Sequence, residues 1–464
     1  MKKYMHFAAA AVSAVMLCSV PVYAYGGDVS EYVRMDSSVS FDMTDPEFWI
    51  GLKGKEEKIV YSQKKIRELN ENNPLLQGMN ENIFSIFDVD GTLPGELVRG
   101  YIDAADVPSD PSSCYRGGKP TTAAYWESLR QKANLDGVPD TVEVRYGIST
   151  ARSSLRAFPS YDFIGEDKQD RFFDVMVWSE FMPYNPLLVV HESTDGNWYY
   201  VLFEGYAGWV HKDYVALCET KEEWLERADP EEFLVVTGRE LRLQDDVKNP
   251  ALSGSLLPMG TKLPLVKYED APEFINDRET KGCYITKLPV RGSDGYITDK
   301  YSLISVKEDV NVGYLDYTYE NIVRLAMKRY GDRYGWAGMS HSNDCSGITG
   351  EIFRCFGIKL PRTSGSIANY SGRKTYDVTN YSDNKKIKLL EKVPVGSILF
   401  FKGHIMIFLG VYEGDPYCIS AVGTYCGSSG TMYDTNSVMI SNMNETYRAD
   451  GETWLSHIQK IIVV

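Results

Sequence analysis

The stretch Asp344-Cys345-Ser346-Gly347 leads into a run whose apolar residues fall at Ile348, Ile352, Phe353 and Phe356. That spacing is one face of a helix, and such a face must be seated against an apolar partner. Gly357 stops the run, and Asp344 stands where an N-cap is expected. Cys345 is therefore placed in the first helical turn, beside unpaired backbone N–H groups at the positive end of the helix dipole. Both lower a thiol pKa, and the thiolate is the nucleophilic form. A cysteine alone at a helix start reads as a small buried residue. Its partners decide the matter.

With 464 residues the chain is too long for one core, so roughly three or four domains are expected. The net charge of −15 argues against nucleic acid or an anionic membrane surface as partner. Residues 1–24 read as a signal peptide: Lys2 and Lys3, an apolar run from about Phe7 to Val20, and Val22-Tyr23-Ala24 at the cleavage end. Leu17 precedes Cys18 where a lipoprotein site needs a small residue, so export without a lipid anchor is expected. The destination is the periplasm or the extracellular, wall-associated space. No later stretch approaches the ~18 apolar residues that cross a bilayer, so stable membrane insertion is not expected. Beyond the leader stand Cys114, Cys218, Cys283, Cys345, Cys355, Cys418 and Cys426. The odd number flags a free thiol. No CxxC pair or metal-ligand spacing occurs, and neither a metal nor a cofactor is implied.

Residues 25–135 read as a mixed helical and irregular segment, with a short helix over 62–70. Within it, Asp88-Val89-Asp90-Gly91-Thr92 behind Ile83 to Phe87 matches the first motif of haloacid-dehalogenase phosphatases. The flanks show none of the strand–helix alternation that fold needs, and a turn is the simpler reading. From 136 to 220 short strands alternate with turns, as in a small barrel. Asp195-Gly196-Asn197-Trp198 and Gly208-Trp209-Val210 look like the signatures of bacterial SH3-like domains. A second barrel is expected over 221–308, with charged Lys221 to Asp229 as a linker. Residues 309–464 begin with a helix from Tyr319 to Tyr330, then the cysteine helix, then strands over 396–401, 404–412, 417–422 and 461–464. Helices followed by antiparallel strands make an α+β order.

His404 opens the apolar strand Gly403-His404-Ile405-Met406-Ile407-Phe408-Leu409-Gly410. A buried strand fixes an imidazole, and a cysteine nucleophile needs one to take its proton and return it to a leaving amine. The other histidines are poorer candidates. His191 and His211 lie in the first barrel, His341 in a loop expected to be mobile, and His457 near the end.

These residues resemble the NlpC-type cell-wall peptidases, which are papain-like cysteine peptidases cut to a minimal core. The likeness rests on Tyr334-Gly335-Trp336, Asp344-Cys345-Ser346-Gly347, Leu360-Pro361-Arg362-Thr363-Ser364, Pro394 to Phe401 and the His404 strand. Phe48-Trp49-Ile50 and the Gly-Trp-Val barrel extend it to the subgroup with an N-terminal helical segment and two SH3-like domains. The resemblance implies hydrolysis of the γ-D-glutamyl–diamino acid bond in peptidoglycan stem peptides such as L-Ala-γ-D-Glu-diamino acid. Cys345 would attack, His404 would act as base and then acid, and the Cys345 N–H, with Tyr334, would hold the oxyanion. Tyr334, Asp344 and Ser346 match positions that contact the peptide and its free amine.

Where that family usually has a polar third residue, often histidine, this chain has Ser420, with Thr424 and Tyr425 as alternatives. This departure sustains a rival reading, a catalytically degenerate peptidoglycan-binding protein. Phosphatase chemistry at Asp88 and Asp90 is the third and weakest.

Overall fold

The structure is a computed structural model that describes residues 33–52, 58–71, 85–203, 206–369 and 373–463. The expected signal peptide lies outside these residues. Among them, no helix is long and apolar enough to cross a membrane.

The C-terminal part carries the cysteine helix, Cys345–Arg354, against a six-stranded sheet. The strands run in the order Lys374–Asp377, Lys460–Val463, Ile398–Phe401, His404–Tyr412, Asp415–Cys426 and Met432–Asn442. Every pairing is antiparallel. Ile348, Ile352, Phe353 and Phe356 bury their side chains among Ile405, Ile407, Leu409 and Ile419, so the periodicity in the sequence is the packing face. Gly357 takes φ +79, the left-handed conformation that ends the helix. The preceding helix, Tyr319–Met327, closes the same core through Ile322 and Ala326.

Ahead of this stands a barrel-like sheet of seven strands. Its order is Val215–Leu217, Arg145–Ser149, Pro186–Glu192, Trp198–Phe203, Tyr206–His211, Ser153–Arg156 and Val177–Phe181. Trp209 is fully buried at its centre. A second β unit follows, with Phe233–Val236 between Lys262–Pro264 and Val310–Val312 and a long hairpin of Cys283–Arg291 with Ile297–Ser305. The charged stretch expected as a linker is instead a helix, Lys221–Ala228. Thr220 caps it, and Trp224 is buried with its indole N–H on the Gly147 carbonyl at 2.9 Å. One large apolar residue among charges is enough to dock a helix that reads as solvated.

The segment before the barrels is shared between the two ends of the molecule. Residues 85–135 pack on the first barrel, whereas Trp49 and Ile50 insert into the core of the C-terminal part. Asp88 ends a short 3-10 turn, Ile86–Asp88, and Asp90 is solvent-exposed beside Lys221. Among the described residues, the three-residue strand Thr92–Pro94 pairs with Thr141–Glu143 alone. Among the described residues no doubly wound sheet surrounds this motif, which leaves the phosphatase reading without a supporting fold, and Ile83 and Phe84 of the expected strand lie outside them.

Candidate active site

Cys345 opens its helix as the sequence requires. Asp344 is the N-cap, and its Oδ1 accepts the Gly347 N–H at 2.7 Å. The helix lies across the histidine strand, and the backbone N–H of Ile405, the residue after His404, points at the Cys345 sulfur. This places the thiol beside the start of the strand that carries the imidazole.

His404 is held on three sides. Its Nε2 lies 3.0 Å from Ser420 Oγ on the neighbouring strand, and its ring packs against Trp454 and Phe401 at 5.1 and 5.4 Å between centroids. With Nε2 engaged by Ser420, Nδ1 is the ring nitrogen left for another partner. Of the three candidates for the orienting residue, Ser420 is the one bonded to the ring. Thr424 is exposed, and Tyr425 stacks on Tyr433 at 5.2 Å.

The electrostatics reverse one expectation. Burial pushes the Cys345 thiol up to about 12, and the Asp344 carboxylate adds to the rise. The N–H of Ile405 and the Arg362 guanidinium pull the other way without prevailing. A helix N-terminus lowers a thiol pKa when water can reach the sulfur; in a closed apolar seat, desolvation of the anion outweighs it. Burial and nearby Arg448 push His404 down to about 4, opposed by Asp344. The resting pair is therefore a neutral thiol and a neutral imidazole.

Asp344 does more than cap. Both of its oxygens are gripped by Arg362, at 3.0 and 2.7 Å, and Oδ2 also accepts the Ala337 N–H at 3.1 Å. Ser346 Oγ bridges the pair, 3.0 Å from Asp344 Oδ1 and 2.9 Å from Arg362. The guanidinium holds the buried carboxyl well below the usual carboxylate range, against the upward push of burial. Tyr334 pairs by its backbone with Asn343 and lies beside Asp344 and Cys345. The expected substrate-contacting trio, Tyr334, Asp344 and Ser346, is thus assembled around the cysteine. Arg362 is the residue whose role was missed. It stands in the Leu360-Pro361-Arg362 motif, and that motif was the signal.

The first barrel forms the other wall, on the side where the resemblance implies that an SH3-like domain restricts the cleft. Tyr206 sits close enough to Arg362 and Asp344 to feel both charges. Phe173 meets Trp336 at 5.7 Å and Tyr334 at 6.1 Å between ring centroids, and Phe173 and Trp336 are both exposed. His191 bonds the Asn134 carbonyl and His457 pairs with Asp450, both on other partners.

Residues 331–454 match the NlpC/P60 family, and residues 159–211 match an SH3 domain of the SH3b1 type. A probable endopeptidase p60 of Listeria seeligeri is 31% identical over 114 residues, which is 24% of this chain and 18% of that protein. The bifunctional muramidase/DL-endopeptidase CwlT of Bacillus subtilis (strain 168) is 30% identical over 142 residues, 30% of this chain and 36% of that one. The chain thus spans well under half the length of these curated relatives. A solved NlpC/P60 endopeptidase from Photobacterium damselae subsp. piscicida shares the fold across the domains. Its TM-score is 0.65 at 18% identity, covering 90% of this chain and 96% of that one. The chain carries an NlpC/P60 domain behind an SH3 domain.

Proposed function

We propose that this chain, built on an NlpC/P60 domain, is a cysteine peptidase that cuts the γ-D-glutamyl–diamino acid bond of peptidoglycan stem peptides. The observation that carries the reading is the helix-tip Cys345 against the strand of His404, with Ser420 fixing the ring by its far nitrogen. His404 Nδ1 takes the thiol proton as the sulfur attacks the γ-carbonyl carbon. The negative oxygen faces the first turn of the cysteine helix, whose N–H groups lack intrahelical acceptors. The imidazolium then protonates the departing amine, leaving a thioester. Water, deprotonated by the same imidazole, releases the γ-glutamyl product and restores the thiol.

Tyr334, Asp344 and Ser346 would bind the peptide, with the ammonium of its first residue sharing the Asp344 field with Arg362. Tyr206 and Phe173 narrow the cleft from the barrel side, which favours short stem peptides over cross-linked wall. The proposed organisation keeps the leader at 1–24, barrels over 136–220 and 221–308, and the peptidase from 309. Such a chain acts after export, in the periplasm or at the wall.

Incubation with L-Ala-γ-D-Glu-diaminopimelate, with products identified by mass, tests the reading. Release of the diamino acid, lost in Cys345→Ala, is the expected result. Binding to sacculi without any cleavage would replace it with the degenerate wall-binding protein.

A further inference from the structure

The first barrel reaches into the peptidase through one side chain. Arg152, 7% exposed, sends its Nε to Glu180 Oε2 at 2.5 Å within the barrel. Its other nitrogens cross to the loop before the nucleophile. Nη1 donates to the His341 carbonyl at 3.1 Å, and Nη2 donates to the Ser342 carbonyl at 2.6 Å and to Asn343 Oδ1 at 2.9 Å. Nη2 also lies 3.5 Å from Glu351 Oε1, a fully buried carboxylate on the cysteine helix that Arg329 pairs from the opposite side. One guanidinium thus grips three consecutive residues, and the next two in the chain are Asp344 and Cys345.

That loop needs a grip. Ala337, Ser340 and His341 have φ of +47, +57 and +55, and Gly338 has +91. Side-chain-bearing residues persist in this region only where their surroundings over-determine them. The loop is closed around the barrel so tightly that a Cβ on Gly338 would stand 2.1 Å from Glu180 Oε2. Far from being a mobile loop, the His341 region is pinned by the neighbouring domain.

We propose that Arg152 is a positioning residue for Cys345: the first barrel, through this one guanidinium, holds the 337–343 loop in the strained form that sets the nucleophile at its helix tip. The inference rests on the peptidase reading for its catalytic consequence, but its geometric core concerns only the thiol. The barrel is then part of the catalytic machinery's scaffold as well as a wall of the cleft. Lysine cannot replace the residue, because a single ammonium cannot span Glu180 and three loop acceptors in the planar fork they require.

The test uses the full chain with Arg152→Lys, and with the charge-balanced pair Arg152→Gln/Glu180→Gln. Three readouts are taken: the melting temperature, kcat and KM on the tripeptide, and the iodoacetamide alkylation rate of each cysteine by peptide mapping. In Arg152→Lys the expected result is a kcat at least about tenfold lower with KM little changed, and Cys345 alkylated at least about threefold faster. Buried Cys355, at the C-cap of the same helix, and Cys418 should keep their wild-type rates. A purely stabilising role would leave kcat and Cys345 alkylation at wild-type values below the melting temperature, and that result overturns the proposal. Uniformly faster alkylation of all three thiols would overturn it too. If the double variant does not fold, Glu180→Gln alone decides, because it weakens the hold on Arg152 without altering the loop, and the same selective exposure of Cys345 is expected. If the wild type cleaves no peptide, the function proposed above fails, and the alkylation pattern still judges the brace.

Discussion

His404 Nε2 and Ser420 Oγ lie 3.0 Å apart on adjacent strands, with Ser420 almost wholly buried. A hydroxyl therefore holds the ring by Nε2, in the place where the proposed mechanism needs an orienting residue. A neutral partner orients the imidazole but stabilises imidazolium less than a charged one would.

Ser420→Ala should lower kcat by roughly tenfold, the rate equivalent of one neutral hydrogen bond of about 1 to 1.5 kcal/mol. KM should change little, because Ser420 is buried behind His404. Steady-state kinetics on the tripeptide checks this; an unchanged kcat would mean that packing by Trp454 and Phe401 alone sets the ring.

The resting thiol should react slowly at neutral pH. Burial and Asp344 hold Cys345 protonated up to about pH 12. Its alkylation by iodoacetamide in the free enzyme should therefore climb about tenfold per pH unit from 6 to 10. A rate already flat from pH 5 would reveal a preformed thiolate–imidazolium pair instead.

Acid should destabilise the fold through His404. Its folded value is pushed down to about 4 from the ordinary 6.5. Between those values the unfolded chain binds a proton that the folded chain refuses. The contribution is thus fully present above pH 6.5 and is lost as pH falls toward 4. For this partly exposed ring the loss is on the order of 2 kcal/mol. Melting curves at pH 7 and 4.5 should show a smaller drop for His404→Gln than for the wild type.

Asp344→Asn keeps an acceptor for the Gly347 N–H but strands the Arg362 guanidinium. Breaking one side of a buried pair costs about 3 kcal/mol or more, beyond what the cap contributes. Adding Arg362→Met should recover part of that loss. Urea unfolding of both singles and the double measures the coupling, and strict additivity would refute a shared pair.

The parts legible in the sequence were those written locally. The Asp344 cap starts the cysteine helix at the residue observed, while the stripe to Phe356 overruns its end at Arg354 by two residues, and the apolar run from His404 gives the strand His404–Tyr412. Met432–Asn442 was missed because Asp434, Asn436 and Ser437 interrupt any apolar alternation, and the strand is held by pairing with Asp415–Cys426. The thiol's electrostatics were misjudged because helix position is local, whereas desolvation depends on Ile405 and the rest of the sheet. Arg152 lies 193 positions before Cys345 in the numbering, and no pattern near either residue announces their connection.

Trp49 inserts into the catalytic half, its indole N–H on the Met43 carbonyl at 2.7 Å and its ring 5.2 Å from that of Tyr417. Tyr417 in turn donates to the Ser38 carbonyl at 3.1 Å, across a sequence separation of 379 residues. Seating this early segment therefore waits until the strand Asp415–Cys426 is in place. Loop closure over such a span comes late in folding. The core behind the nucleophile is closed by a segment far from it in sequence, so a working cleft is assembled only once those distant parts have met.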